Sequence, residues 1–339
     1  MKRLFAACAL ALSMIATPVS AQQQDVQVLL AEAAIWSRDF GAVMTQAAEP
    51  LAGIDAFVQI MDRFGAGEID AQRAAADVEA WRADSLAKVA RARAAAEALR
   101  PPPTFAHLGP DGVRLDAAFR ANRDSAVPLV HEFERVVNAV ADLGVAAVRD
   151  PTKLLDVRHR ALLNATIQLL RVDLGRIDAA AASVSEQHPH QAVSVATQHY
   201  YNGLIHMLTY ALESLDGAGD RGGAIGTLRG EGVAMRRELD RASRLAANMQ
   251  ETLPAQLAGA PPELIEAALA AFRTYPDTIR AFFGLAEGLD AAAASLQSGA
   301  NPLDVWADQE ARDRPYLDEL DRLDAVRQEL IANNNRRTL

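Results

Sequence analysis

Between one cluster of proline or glycine and the next, the apolar residues of this chain return at every third or fourth position and never alternate convincingly. The clearest run is Leu129, Phe133, Val136, Val140, Leu143 and Ala147, whose spacing puts all six on one side of a helix. The punctuation between runs is strong: Gly65-Ala66-Gly67, Pro101-Pro102-Pro103, Asp150-Pro151, His188-Pro189-His190, the glycine-rich stretch after Asp216, Pro261-Pro262 and Gly299-Ala300-Asn301-Pro302. Asp70 is placed to cap a helix reaching Arg100, and Pro151 suits a first helical turn. Pro50 is expected to stop or kink its helix and Pro254 to end its own, while Pro128 bends or begins its stretch and Pro315 kinks the last helix.

These segments predict an all-α protein: an elongated bundle of long antiparallel amphipathic helices, continuous or built as two stacked helical subdomains. Residues 1–21 read as a cleavable signal peptide, with Lys2 and Arg3, an apolar run from Leu4 to Ala16 and the small-residue site Val19-Ser20-Ala21. Residues 22–216 would form the first helical unit and 225–339 the second, with 217–224 as the connection.

The single cysteine, Cys8, falls inside the expected leader. The mature chain would then have no disulfide, thiolate metal site, iron–sulfur cluster or cysteine nucleophile. The whole chain carries 44 acidic against 34 basic side chains, and losing Lys2 and Arg3 makes it more acidic still. Phosphate contacts need clustered positive charge, so nucleic acid is excluded as a partner class. No apolar run after the leader approaches the ~18 residues of a membrane span. A leader followed by a cysteine-free acidic chain predicts a soluble protein of the bacterial periplasm.

Side chains able to carry chemistry concentrate in one place. Four of the seven histidines lie between His188 and His206, and Tyr200, Tyr201 and Tyr210 fall in or just beyond that interval. On a helix, His199, Asn202, His206 and Tyr210 share an arc of about 80°, making a polar stripe that is the candidate surface for a ligand or partner. Tyr200, Leu204, Met207, Leu208 and Ala211 would form the opposing apolar side. The two stripe histidines are separated by about 10 Å of helical rise, too far to grip one ion. A metal site would need further ligands such as His188 and His190.

Other patterns yield less. Asp156 and His159 have the spacing of a carboxylate-bridged di-metal motif, but no second acidic-x-x-His occurs. Arg237, Arg241 and Arg244 share a helix face with interleaved Glu231, Glu238 and Asp240, which predicts surface pairing. Tyr316, Leu320, Leu323 and Leu330 are expected to pack within the chain, and the Pro101–Gly112 connection to cap one end of the bundle. No nucleophile elbow, phosphate loop or His-Glu-x-x-His is present. The expectation is a protein that works by contact, without cofactor, on another envelope protein or on itself. The alternative is a small-ligand or metal-binding protein using the helix over 191–215.

Overall fold

The computed structural model of the protein describes residues 20–256, 266, 269–270 and 272–337. The expected leader up to residue 19, and most of the predicted helix bearing Leu264 and Ala268, lie outside them. Among the described residues there is no strand. In chain order the helices are α1 (Ser20–Ala52), α2 (Asp55–Gly65), α3 (Ala71–Glu97), α4 (Pro110–Arg149) and α5 (Leu154–Ser183). There follow α6 (Pro189–Ser214), α7 (Arg221–Gln256), α8 (Tyr275–Gln297) and α9 (Pro302–Arg337). Short 3-10 turns at Ala106–Leu108 and Pro151–Lys153 lead into α4 and α5.

Local chemistry explains most of the boundaries. Asp70 accepts a 2.7 Å hydrogen bond from the Arg73 N–H, capping α3 where the sequence places the cap. Gly109, at φ +94°, turns the chain into Pro110, the first residue of a 40-residue helix. Of the prolines, Pro254 departs from expectation. It does not end α7, which runs on to Gln256, whereas α1 ends at Ala52, two residues past Pro50. An interior proline costs a helix ~3 kcal/mol. The adjoining Leu51 and Leu253 are both buried, and burial of such side chains works against that cost.

The pairs α3–α4, α5–α6 and α7–α8 run antiparallel, because along each contact one partner's number rises as the other's falls. Arg82 bonds Asp142 and Arg93 meets Glu134 between α3 and α4. Gln198 reaches Asp178 across α5 and α6, while Arg160, nearer the start of α5, reaches Asp216 just past the end of α6. The α7–α8 pair repeats the pattern with Arg229 on Gln297 and Arg236 on Asp290.

Two hydrophobic clusters result. The first joins α1 to α4 around Trp36, which stacks on Phe40 at 5.4 Å and meets the edge of Phe119 at 5.2 Å. The second joins α6 to α9 around Met207, Leu208, Leu228, Leu285 and Leu289. Helix α5 belongs to both: Val157, Ala161, Ala165 and Val172 enter the first cluster, Leu163, Ile167 and Leu170 the second. The boundary between the cores therefore runs along α5. The 217–224 connection joins two helices, α6 and α7, that share the second core.

The proline-rich connection is pinned to one end of the first core. Trp36 Nε1 donates to the Arg100 carbonyl at 2.8 Å, and buried Asp116 accepts from the Phe105 N–H at 2.5 Å. Phe105 itself is fully buried and stacks on Phe119. No helix among the described residues is long and apolar enough to cross a membrane.

Candidate functional site

Helix α6 is the hub of the second core, and its histidine- and tyrosine-rich middle is the candidate site. Consecutive residues on a helix point about 100° apart, so three in a row can address three neighbours. Gln198 Nε2 donates to Asp178 of α5 at 2.8 Å. His199 Nδ1 lies 2.6 Å from Glu231 of α7. Tyr200 Oη donates to Asp313 of α9 at 2.5 Å. Each of these side chains thus ties α6 to a different helix.

The predicted stripe is only partly a polar face. His206 is exposed, and His199 and Asn202 are half-buried. Tyr210, expected beside them, is instead buried, and its hydroxyl accepts from Arg221 Nε at 3.0 Å. The correction has a simple cause: a phenol at the end of α6 can bury its ring in the core while its oxygen reaches the first residue of α7. The opposing side is as expected, with Tyr200, Leu204, Met207, Leu208 and Ala211 all buried.

His188 and His190 are at the start of α6 and play another part. His188 is the N-cap, its Nδ1 accepting from the His190 N–H at 3.0 Å. Burial pushes its pKa down to about 4, so the ring is neutral at neutral pH and can accept that bond. Its ring also packs against Phe272 at 5.9 Å. Among the described residues no three His, Cys, Asp or Glu side chains gather as a metal site.

Asp313 is the group that sequence reasoning missed. It is 2% exposed on α9, one turn from Gln309, which is 1% exposed and donates to the same carboxylate oxygen at 2.7 Å. The other oxygen of Asp313 and the side-chain oxygen of Gln309 have no hydrogen-bond partner among the described residues. Burial pushes the Asp313 pKa up to about 6, against the opposing pull of the Tyr200 and Gln309 hydrogen bonds. Burial first, and then the same carboxylate, holds the Tyr200 phenol well above its ordinary range. Facing the cluster across α8 are Gly284 and Gly288. A Cβ on Gly288 would lie 2.5 Å from both Asp313 Oδ1 and Gln309 Nε2, and one on Gly284 would collide with Tyr316. The sequence signal was there as two glycines four apart on α8, but it acquires meaning only with α9 in place.

The remaining candidates resolve into pairs. Asp156 accepts from Arg160 Nε at 2.8 Å, and the same guanidinium holds Asp216, so Asp156 serves the α5–α6 junction. Arg241 bonds Glu238, the Gln191 side chain and the Glu186 carbonyl, and Arg237 lies 3.5 Å from Glu238. The arginine face is therefore tied up within the chain, apart from exposed Arg244. Leu320 and Leu323 are buried, as expected for packing within the chain.

Comparison with known proteins gives no family whose model matches, and no curated protein or solved structure that is similar.

Proposed function

We propose that this chain is an exported periplasmic helical protein that acts by contact, as a scaffold or envelope-assembly component. The observation that carries the reading is the employment of the α6 side chains. In the one segment rich in ligand-type residues, Gln198, His199, Tyr200 and Tyr210 are each bonded to a neighbouring helix. Side chains committed to holding helices together are poor candidates for gripping a diffusible ligand, which must displace those bonds first. What remains accessible is long helical surface. On α7, Val233 is 62% exposed, and Gly226 and Gly230 lie in open space about two turns and one turn before it. Periplasmic residence rests on the leader-like pattern of residues 1–21.

Two measurements test this reading. Cell fractionation with mass determination should find a processed chain beginning at Gln22 outside the cytoplasm; an unprocessed cytoplasmic chain overturns the export reading. A photo-crosslinking side chain at Val233 in living cells should give a discrete adduct, either with a second copy or with another envelope protein. Its absence, with a small molecule retained through purification, would favour the ligand alternative around His199, Asn202 and His206.

A further inference from the structure

Asp313 sits where a carboxylate is least welcome. It is 2% exposed, forms no ion pair among the described residues, and has one oxygen without a hydrogen-bond partner. The groups around it are few. From α6 come the Tyr200 hydroxyl, which donates to it, and the ring of Tyr201, 5.9 Å from that of Tyr200. From α9 itself come Gln309, which donates, and Arg312 and Glu310, both exposed and acting only at a distance. From α8 the facing positions are Gly284 and Gly288, which bring backbone rather than charge. The charged residues of α8 are engaged elsewhere or exposed: Asp290 bonds Arg236, Asp277 bonds Arg280, and Glu287 is exposed. Asp173 of α5 acts on Tyr201, not directly on Asp313. A negative charge here has two neutral donors and only the exposed, distant Arg312 to balance it, so ionisation works against the contact that buries it.

Position in the fold makes that contact separable. Among the described residues helix α9 packs chiefly on α8, with a smaller contact to α6. It packs most against those two, and each keeps other partners, α8 in α7 and α6 in α5 and α7. Its closest approach to α8 is the two-glycine surface, where Tyr316, Asp313 and Gln309 replace the missing side chains.

We propose that α9 is a pH-gated arm, docked on α6 and α8 through a protonated Asp313 and loosened when that carboxylate ionises. The device is independent of the contact reading above, since it concerns how the chain opens and not what it meets. The sign follows from the raised pKa. Docking is strongest below about pH 4, where the group is protonated whether docked or free. It weakens as pH rises through about 6 and changes little above that.

Hydrogen exchange on the full chain, read as protection factors between pH 4 and 8, tests it. In the wild type, amides of 302–325 should lose roughly ten- to hundred-fold protection across that range while those of α3 do not. Asp313→Asn should hold α9 at its acid-like protection throughout. Tyr200→Phe removes a donor that favours the charged form, so the drop should move to higher pH. A wild-type α9 whose protection does not vary, or a drop that persists in Asp313→Asn, overturns the proposal. Should Asp313→Asn fail to fold, an unmoved midpoint in Tyr200→Phe does the same.

Discussion

His199 on α6 and Glu231 on α7 face each other at 2.6 Å, each side chain about a fifth exposed, and they lock two helices side by side 32 positions apart in sequence. If that is their work, His199→Ala should lower stability in urea by about 1–2 kcal/mol. A double-mutant cycle with Glu231→Ala should leave a coupling of about 0.5–2 kcal/mol. Zero coupling would free His199 for a ligand instead.

Glycines on facing and open sides of the second core should respond with opposite signs. Gly288→Ala forces a methyl against Asp313 and Gln309, which are held in the core, and should destabilise by about 1–3 kcal/mol. Gly226→Ala and Gly230→Ala meet nothing within 4 Å and lie inside α7. Each should stabilise by about 0.5–1 kcal/mol by improving helix propensity. Thermal melts of the three single variants decide the matter.

Asp116 is buried at 4% exposure and accepts from the Phe105 N–H. Asp116→Ala leaves that N–H without its acceptor and should cost about 1–3 kcal/mol. The loss should be accompanied by a change in tryptophan fluorescence as the Phe105–Phe119 stack, whose Phe119 edge meets Trp36, loosens. An unaltered melt and spectrum would mean that the proline-rich connection is held by Phe105 packing alone.

Asp173 on α5 gives a pH prediction outside the arm. Burial pushes its carboxyl up to about 6, although Arg176 lies 3.8 Å away. Its pKa is higher folded than unfolded, so its contribution is fully present below about pH 4 and is lost as pH rises through about 6. Asp173→Asn should therefore raise the melting point at pH 7.5 relative to the wild type, by an amount equivalent to about 1–3 kcal/mol. At pH 4 the two proteins should melt together, and a gain of equal size at both values would rule out titration as the cause.

The helices were legible because their signals are local. Asp70, Gly65-Ala66-Gly67, Pro101 and Gly299 each mark an end through backbone chemistry that needs no distant partner. Helix α5 shows where that stops. Leu163, Leu170, Leu174 and Ile177 announce one apolar side, but Val157, Ala161 and Ala165 are small residues whose burial against α1 to α4 cannot be read from their own spacing. The site was legible as a region and not as an arrangement. His199 and Tyr200 stood out by residue type, while Glu231 and Asp313 are two among many surface-like acids until the helices meet. Its angle on the helix puts Tyr210 on the polar stripe, whereas its burial depends on Arg221, a residue beyond the next turn.

The double membership of α5 makes that rod a party wall. Adding a single amino acid within it would swing everything downstream by about 100°, so Leu170 and Val172 would each turn toward the wrong room. Most inserts injure the place where they land; here one would damage both sides of the house at once, which leaves evolution far less liberty to vary the length of α5 than that of the loops on either side.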